Sequence, residues 1–229
     1  IAQGGMGDIL LGQDITTAET VIIKTLRAEL VNDPVFVTQF LDEARVASEL
    51  KHPNVVSIHA SGQWQGTYVI VMEFIYGCDL RTLMASAPDG RISIPMATYI
   101  IREAALGLGY AHAASDSKGK PLKIVHRDIS PQNIMVNLEG KTKIVDFGIA
   151  KAANRQSRTV MGMVKGKMAY MSPEQMSGEK LEGTSDQFAL GAVYWEICTG
   201  KPLFEGSTMG ETIDRLLVKP IPKPSESSM

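Results

Sequence analysis

Three short stretches of this chain carry side chains suited to one kind of chemistry. His126, Arg127 and Asp128 stand together, Asn133 follows the aspartate by five residues, and Asp146, Phe147 and Gly148 come later in the same order. A carboxylate such as Asp128 can orient a hydroxyl, and an amide followed by a second carboxylate offers hard oxygen ligands for Mg²⁺. Those groups are what transfer of a phosphoryl group from a nucleotide asks of a protein. No Cys/His spacing supports zinc, and His52, in the turn His52-Pro53-Asn54, reads as a structural cap rather than a ligand.

The elements that must position these groups can be read from periodicity. Alternation and β-branched residues at 8–12, 20–25, 55–60 and 67–74 predict strands joined by polar turns, with one helical interruption. From residue 79 onward the helical period dominates, most clearly at 95–114 and 184–199, with short strands near 134–136 and 143–145. The pattern is α+β: a small sheet-rich lobe meeting a larger, mainly helical lobe near residues 73–79. A chain of 229 residues has room for one large or two small domains. With 21% charged residues and a formal net charge of −2, no basic field favours nucleic acid or an anionic membrane. No apolar run approaches the roughly 20 residues of a membrane-spanning helix, and residues 1–6 lack the blocks of a signal peptide. Cys78 and Cys198 stand far apart in motif-free settings and read as unpaired and reduced, which points to the cytoplasm. The twelve methionines read as core and pocket filler.

Within 34–51, Phe36, Phe40, Glu43, Ala47 and Leu50 recur at a 4-3-4-3 spacing that places them on one helical face. A carboxylate in an apolar stripe is costly unless paired, so this helix calls for a cation from elsewhere. Lys24, at the end of the apolar run Val21-Ile22-Ile23, is the best candidate. Gly4, Gly5 and Gly7 before Ile9 form a glycine-rich turn in which backbone N–H groups could approach phosphate oxygens.

The stretch HRDISPQN, with Asp146-Phe147-Gly148 and Ser172-Pro173-Glu174, closely resembles the eukaryotic-type protein kinases. The resemblance runs from GGMG through VIIK, Glu43, HRDISPQN, DFG and YMSPEQ to SDQFALGAVYWE, and its texture looks like the bacterial Ser/Thr members. It implies a bilobal fold over 1–229, with an antiparallel-sheet N-lobe at 1–74 carrying one helix, a hinge at 75–78 and a C-lobe at 79–229. It also implies ATP and Mg²⁺, with Mn²⁺ as a possible substitute, and a protein substrate with a Ser or Thr acceptor. Asp128 would orient the acceptor and take its proton, Asn133 and Asp146 would hold the metal, and Lys24, paired to Glu43, would bind the α- and β-phosphates. Met72 would be the gatekeeper, Glu73 and Ile75 would offer backbone bonds to adenine, Asp79 would contact the ribose, and Ile9 and Met135 would sandwich the base. Asp186, at the start of an almost wholly apolar helix, would anchor the catalytic-loop backbone. Thr159, then Ser157, would be phosphorylated in the segment between Asp146 and Glu174, facing Arg127 and Lys151.

The chain departs from the family pattern at several points. Ala2 replaces the first glycine of the loop, and Ile22 replaces a small alanine, projecting toward the adenine pocket. Ser130 stands where the catalytic loop has lysine, while Lys167 stands where a hydroxyl follows Gly166, so lysine and hydroxyl have changed places. The expectation is that Lys167 reaches Asp128 and the transferring phosphate. The chain begins inside the glycine loop and ends in KPIPKPSESSM, so it reads as a fragment in which Glu174 lacks the arginine that resemblance assigns to it. The alternative function is a pseudokinase or scaffold without phosphotransfer, supported by Ile22, Ser130 and the truncation. A small-molecule kinase of related fold fits the SPE segment and the following helix less well, and tyrosine specificity fits the HRDISPQN loop less well.

Overall fold

Thr20–Leu26 (β3) alternates so that Ile22, Lys24 and Leu26 share one face of a sheet, because successive side chains of a strand point to opposite sides. The computed structural model describes residues 2–3, 7–116, 118–147, 164–223 and 225. In it, Ala2–Gln3 (β1), Gly7–Gln13 (β2), β3, Ile58–Trp64 (β4) and Thr67–Glu73 (β5) form an antiparallel sheet in the order β1-β2-β3-β5-β4. The register sets Ile9 and Ile70 beside Lys24, and Met72 beside Ile22, on that same face. Gly7 lies so close to β3 that a Cβ there would sit 2.0 Å from the Thr25 carbonyl oxygen, which requires glycine.

Helix Pro34–Glu49 (α1) covers this face. Asp33 caps it by accepting the Val35 N–H at 2.9 Å, and Pro34 opens the first turn where its missing N–H costs nothing. Phe40 and Ala44 of α1 join Leu26, Val56, Ile70 and Met72 in a buried cluster. Each large side chain there contributes about 1.5–3 kcal/mol relative to exposure. The expected stripe holds with two adjustments: Phe36 is only half-buried, and Leu50 is the residue that caps the helix rather than part of it.

The second part of the chain contains a three-stranded antiparallel sheet of Gly77–Asp79 (β6), Ile134–Asn137 (β7) and Thr142–Ile144 (β8). Its helices are Leu80–Ser86 (α2), Ile94–Ala113 (α3), Val164–Met168 (α4), Pro173–Ser177 (α5), Gly183–Thr199 (α6) and Met209–Leu217 (α7). Ala97, Ile100, Ala104 and Leu108 of α3 share a core with Ala189, Val193 and Ile197 of α6. Gly107 allows α3 to approach Asn54, whose carbonyl oxygen would be 2.8 Å from an added Cβ.

The strand expected at 55–60 begins only at Ile58. Residues 54–56 bond across to the other sheet instead: Ile144 donates to the Asn54 carbonyl and accepts from the Val56 N–H, each at 2.9 Å. With their backbone groups satisfied there, these residues tie the two lobes together rather than extending β4. Around the expected hinge, Gly77 and Cys78 pair with Asn137 and Val136 in β6, and the Tyr76 carbonyl accepts the Leu138 N–H at 2.9 Å.

Candidate active site

Lys24 is delivered to the cleft by the alternation of β3, and Glu43 by the inward face of α1. The Lys24 Nζ lies 2.7 Å from Glu43 Oε1 and 3.0 Å from Asp146 Oδ1. Lys24 and Glu43 are largely shielded from solvent, at 15% and 13% side-chain exposure, whereas Asp146 keeps 38%. One ammonium is thus shared by two carboxylates. Burial by itself would lower the Lys24 pKa, but the charges of Asp146 and Glu43 overcome it and hold the ammonium above its ordinary range. Burial pushes Glu43 up despite Lys24, while Asp146 is held down, its desolvation outweighed by the Lys24 charge and hydrogen bond.

Asp128 and Asn133 meet in the second lobe. The Asn133 Nδ2 donates to the Asp128 carbonyl oxygen at 2.7 Å and to its Oδ2 at 3.1 Å. Asn133 is brought beside Asp146 because β7 and β8 pair Ile134 with Ile144, and the Val145 N–H donates to the Asn133 carbonyl at 3.1 Å. An amide just before one strand and a carboxylate just after its neighbour are a hard, sparse donor set, which suits Mg²⁺ because that ion keeps waters and phosphate oxygens in its shell. Among the described residues there is no cluster of three His, Cys, Asp or Glu that could hold a metal unaided.

The stretch 126–128 is held by Asp186 of α6. Its Oδ2 accepts the His126 N–H and its Oδ1 the Arg127 N–H, each at 2.8 Å, while His112 Nε2 lies 2.8 Å from Oδ2. From the other side, Gln175 Nε2 donates to the Arg127 carbonyl at 2.9 Å. These bonds hold Arg127 at φ 68°, and Asp146 is likewise left-handed at φ 56°. Non-glycine residues in this region cost about 1–3 kcal/mol and persist only where the surroundings over-determine them. His126 is fully buried; its Nε2 lies 3.0 Å from the Val145 carbonyl oxygen, and its Nδ1 accepts the Asp128 N–H at 3.3 Å. That pair of contacts selects the Nε2–H tautomer of a neutral ring, and burial pushes the imidazole pKa down accordingly. The ring packs against Phe147 with centroids 4.6 Å apart.

The chain matches the model of the protein kinase domain over residues 1–226. It belongs to the protein kinase family. It is 42% identical over 205 residues to "Tyrosine-protein kinase MasK" of Myxococcus xanthus, an alignment that covers 87% of this chain and 32% of that protein. It is 37% identical over 208 residues to "Serine/threonine-protein kinase PrkC" of Bacillus subtilis, covering 91% of this chain and 31% of that protein. The chain therefore spans about a third of the length of the curated relatives it matches. Among solved structures, the kinase domain of Mycobacterium tuberculosis PknI is similar with a TM-score of 0.72 at 25% identity, covering 99% of this chain and 79% of that one. The sheet-rich and helical lobes described above are those of a bilobal kinase domain.

Ile9, Ile22 and Met72 lie on the Lys24 face, and Ile75 packs beside Ile22 and Val145 against the smaller core. Met135 pairs with Asp79 between β7 and β6. Asp79 caps α2, its Oδ1 accepting the Thr82 N–H at 2.7 Å, and Glu73 turns its carboxylate toward Lys143 at 2.6 Å and the Ser57 N–H at 2.7 Å. Lys167 Nζ lies 2.6 Å from Asp128 Oδ2, and Ser130 is buried. Gly4, Gly5, Gly148, Lys151, Ser157 and Thr159 lie outside the described residues.

Glu174 takes a different partner from the arginine assigned by resemblance: Ser185 Oγ donates to its Oε1 at 2.5 Å. Its desolvation is outweighed by this bond and the carboxyl is held low. One network went unread in the sequence. Glu196, 1% exposed in α6, accepts Arg81 Nη1 at 2.6 Å on Oε1 and the Tyr170 hydroxyl at 2.5 Å on Oε2, while Arg81 Nη2 donates to the same hydroxyl at 2.5 Å. The signal was present, since the reasoning that found a partner for Glu43 applies equally to a glutamate inside VYWEIC.

Proposed function

We propose that this domain transfers the γ-phosphoryl group of ATP to Ser and Thr hydroxyls of protein substrates, including hydroxyls in its own 148–163 segment. Support comes chiefly from one observation: Lys24, Glu43 and Asp146 form a continuous ion-pair chain, and the Val145 N–H next to Asp146 bonds the carbonyl of Asn133, whose side chain bonds Asp128. Asp128 orients the acceptor hydroxyl and takes its proton as the new O–P bond forms and the bond from the γ-phosphorus to the bridging oxygen breaks, leaving ADP. Lys24, steadied by Glu43, binds the α- and β-phosphates. Mg²⁺ held by Asn133 and Asp146 would neutralise phosphate charge when bound. Gly4, Gly5, Gly7, Ile9, Ile22, Met72, Glu73, Ile75, Asp79 and Met135 hold the nucleotide. Thr159 and Ser157 are the phosphorylation sites, with Arg127 and Lys151 as their partners.

The same reading divides the chain into lobes at 1–74 and 79–229 about a hinge at 75–78, and places its action in the cytoplasm on protein rather than nucleic acid. Among the described residues no helix is long and apolar enough to cross a membrane. A second reading, transfer to tyrosine, is favoured by the 42% identity to the tyrosine-protein kinase MasK of Myxococcus xanthus. The test is transfer of radiolabelled phosphate from ATP to a generic basic protein, with Asp146→Ala as control, followed by phosphoamino-acid analysis. Label in phosphoserine and phosphothreonine supports the proposal, label confined to phosphotyrosine supports the second reading, and label equal to the control overturns both.

A further inference from the structure

Lys167 and Ser130 occupy unusual positions relative to the catalytic aspartate. Lys167 belongs to α4, in a different part of the chain from the catalytic loop, yet its Nζ lies 2.6 Å from Asp128 Oδ2. The same carboxylate oxygen accepts Asn133 Nδ2 at 3.1 Å, and the Lys167 charge is also felt at Asp146. The ammonium is therefore bonded to the residue assigned to the acceptor hydroxyl and within electrostatic reach of the residue assigned to the metal. Its side chain is 40% exposed, so it is not sealed in an internal ion pair. Ser130, two residues beyond Asp128, is 1% exposed, and its Oγ has no hydrogen-bond partner among the described residues. A neutral hydroxyl enclosed there cannot supply positive charge to a phosphate.

We propose that Lys167 is a catalytic residue that supplies the cation for the transferring phosphoryl group, delivered by α4 in place of the catalytic loop. An ammonium has three donors, so one can remain on Asp128 while the others engage phosphoryl oxygens. The positive charge is then present before reaction and directed where negative charge develops, which lowers the barrier without reorganisation. The bonds made and broken are those of the transfer itself; Lys167 forms none and keeps its protons. Because α4 carries the residue, correct docking of α4 is itself a requirement for the chemical step. The inference rests on the kinase reading above.

The experiment compares steady-state transfer and ATP affinity for the wild-type domain, Lys167→Met, Lys167→Arg and the exchange variant Ser130→Lys/Lys167→Thr. The expected result is that Lys167→Met loses at least about 100-fold in kcat, about 2.7 kcal/mol of barrier, while ATP affinity changes less than about threefold. The exchange variant, or Lys167→Arg where the exchange variant fails to bind ATP, recovers at least about a tenth of wild-type kcat. Wild-type-like kcat in Lys167→Met overturns the inference, as does the absence of recovery in every charge-restoring variant that binds ATP. If the wild-type domain transfers no phosphate, the kinase reading fails instead, which separates the two outcomes.

Discussion

The carboxylate of Asp186 accepts the main-chain N–H of Arg127 at 2.8 Å, and Arg127 has a left-handed backbone with φ 68°. A residue of α6 thus holds the turn that presents Asp128. Asp186→Asn halves the acceptor capacity that now serves two N–H groups and His112. The expected cost is about 1.5–3 kcal/mol, the range for hydrogen bonds to charged groups. Activity falls along with stability, because the strained turn is no longer over-determined. Urea denaturation measures the first effect and kcat the second. An Asp186→Asn domain with an unchanged midpoint and full turnover would contradict the anchoring role.

The Lys24–Glu43 pair gives a kinetic prediction. Lys24 bonds both Glu43 and Asp146, so Glu43→Gln removes the charge that holds the ammonium toward α1 and leaves Asp146 to draw it alone. The expected loss in kcat/KM for ATP is at least about tenfold, or about 1.4 kcal/mol. Lys24→Met is expected to lose at least about 100-fold, and the double variant is expected to be no worse than Lys24→Met, since the two residues act as a unit. Additive losses in the double variant would show that Glu43 acts elsewhere.

Much of this centre was legible in the sequence because the physics is local. The alternation of VIIK fixes the face on which Lys24 emerges, and the helical spacing around Glu43 fixes a buried carboxylate in need of a cation. The order of Asp128, Asn133 and Asp146 needed only two short paired strands to become a site. The misreadings are non-local. Val55 and Val56 have strand-like side chains, but the Val56 N–H and the Asn54 carbonyl bond to Ile144 in the other lobe, a pairing no local pattern announces. Glu196 is a buried carboxylate in an apolar helix, and its partners Arg81 and Tyr170 lie far away in sequence.

His126 makes stability depend on pH. Burial lowers its pKa below the ordinary 6.5, so below that pH the unfolded chain takes up a proton that the folded domain resists. The stabilisation is complete above about pH 6.5 and is lost as pH falls. The urea midpoint is expected to decline from pH 7 to pH 5.5. The decline is expected to be shallower in His126→Phe, which lacks the titrating ring but retains every other group. Equal slopes in the two proteins would rule out His126 as the source.

The Arg81–Tyr170–Glu196 network joins α2, the chain just beyond α4, and α6 through one carboxylate that is 1% exposed. Removing the cation alone strands that charge, and breaking a buried pair costs about 3–5 kcal/mol. Arg81 is 40% exposed, so solvent takes over part of its role and the expected loss for Arg81→Met is smaller, about 1–3 kcal/mol. Glu196→Gln removes the need for a cation, so Arg81→Met/Glu196→Gln is expected to be more stable than the sum of the single losses implies. The Tyr170 hydroxyl, whose pKa is raised by burial and by the Glu196 charge, stays protonated and continues to donate in the wild-type protein. In the double variant it donates to the glutamine carbonyl instead, which preserves the link between Tyr170 and α6. Urea midpoints of the four proteins in the cycle decide the matter. Additive losses would mean that Arg81 and Glu196 are not coupled, and that α2 is held to α6 by apolar packing alone.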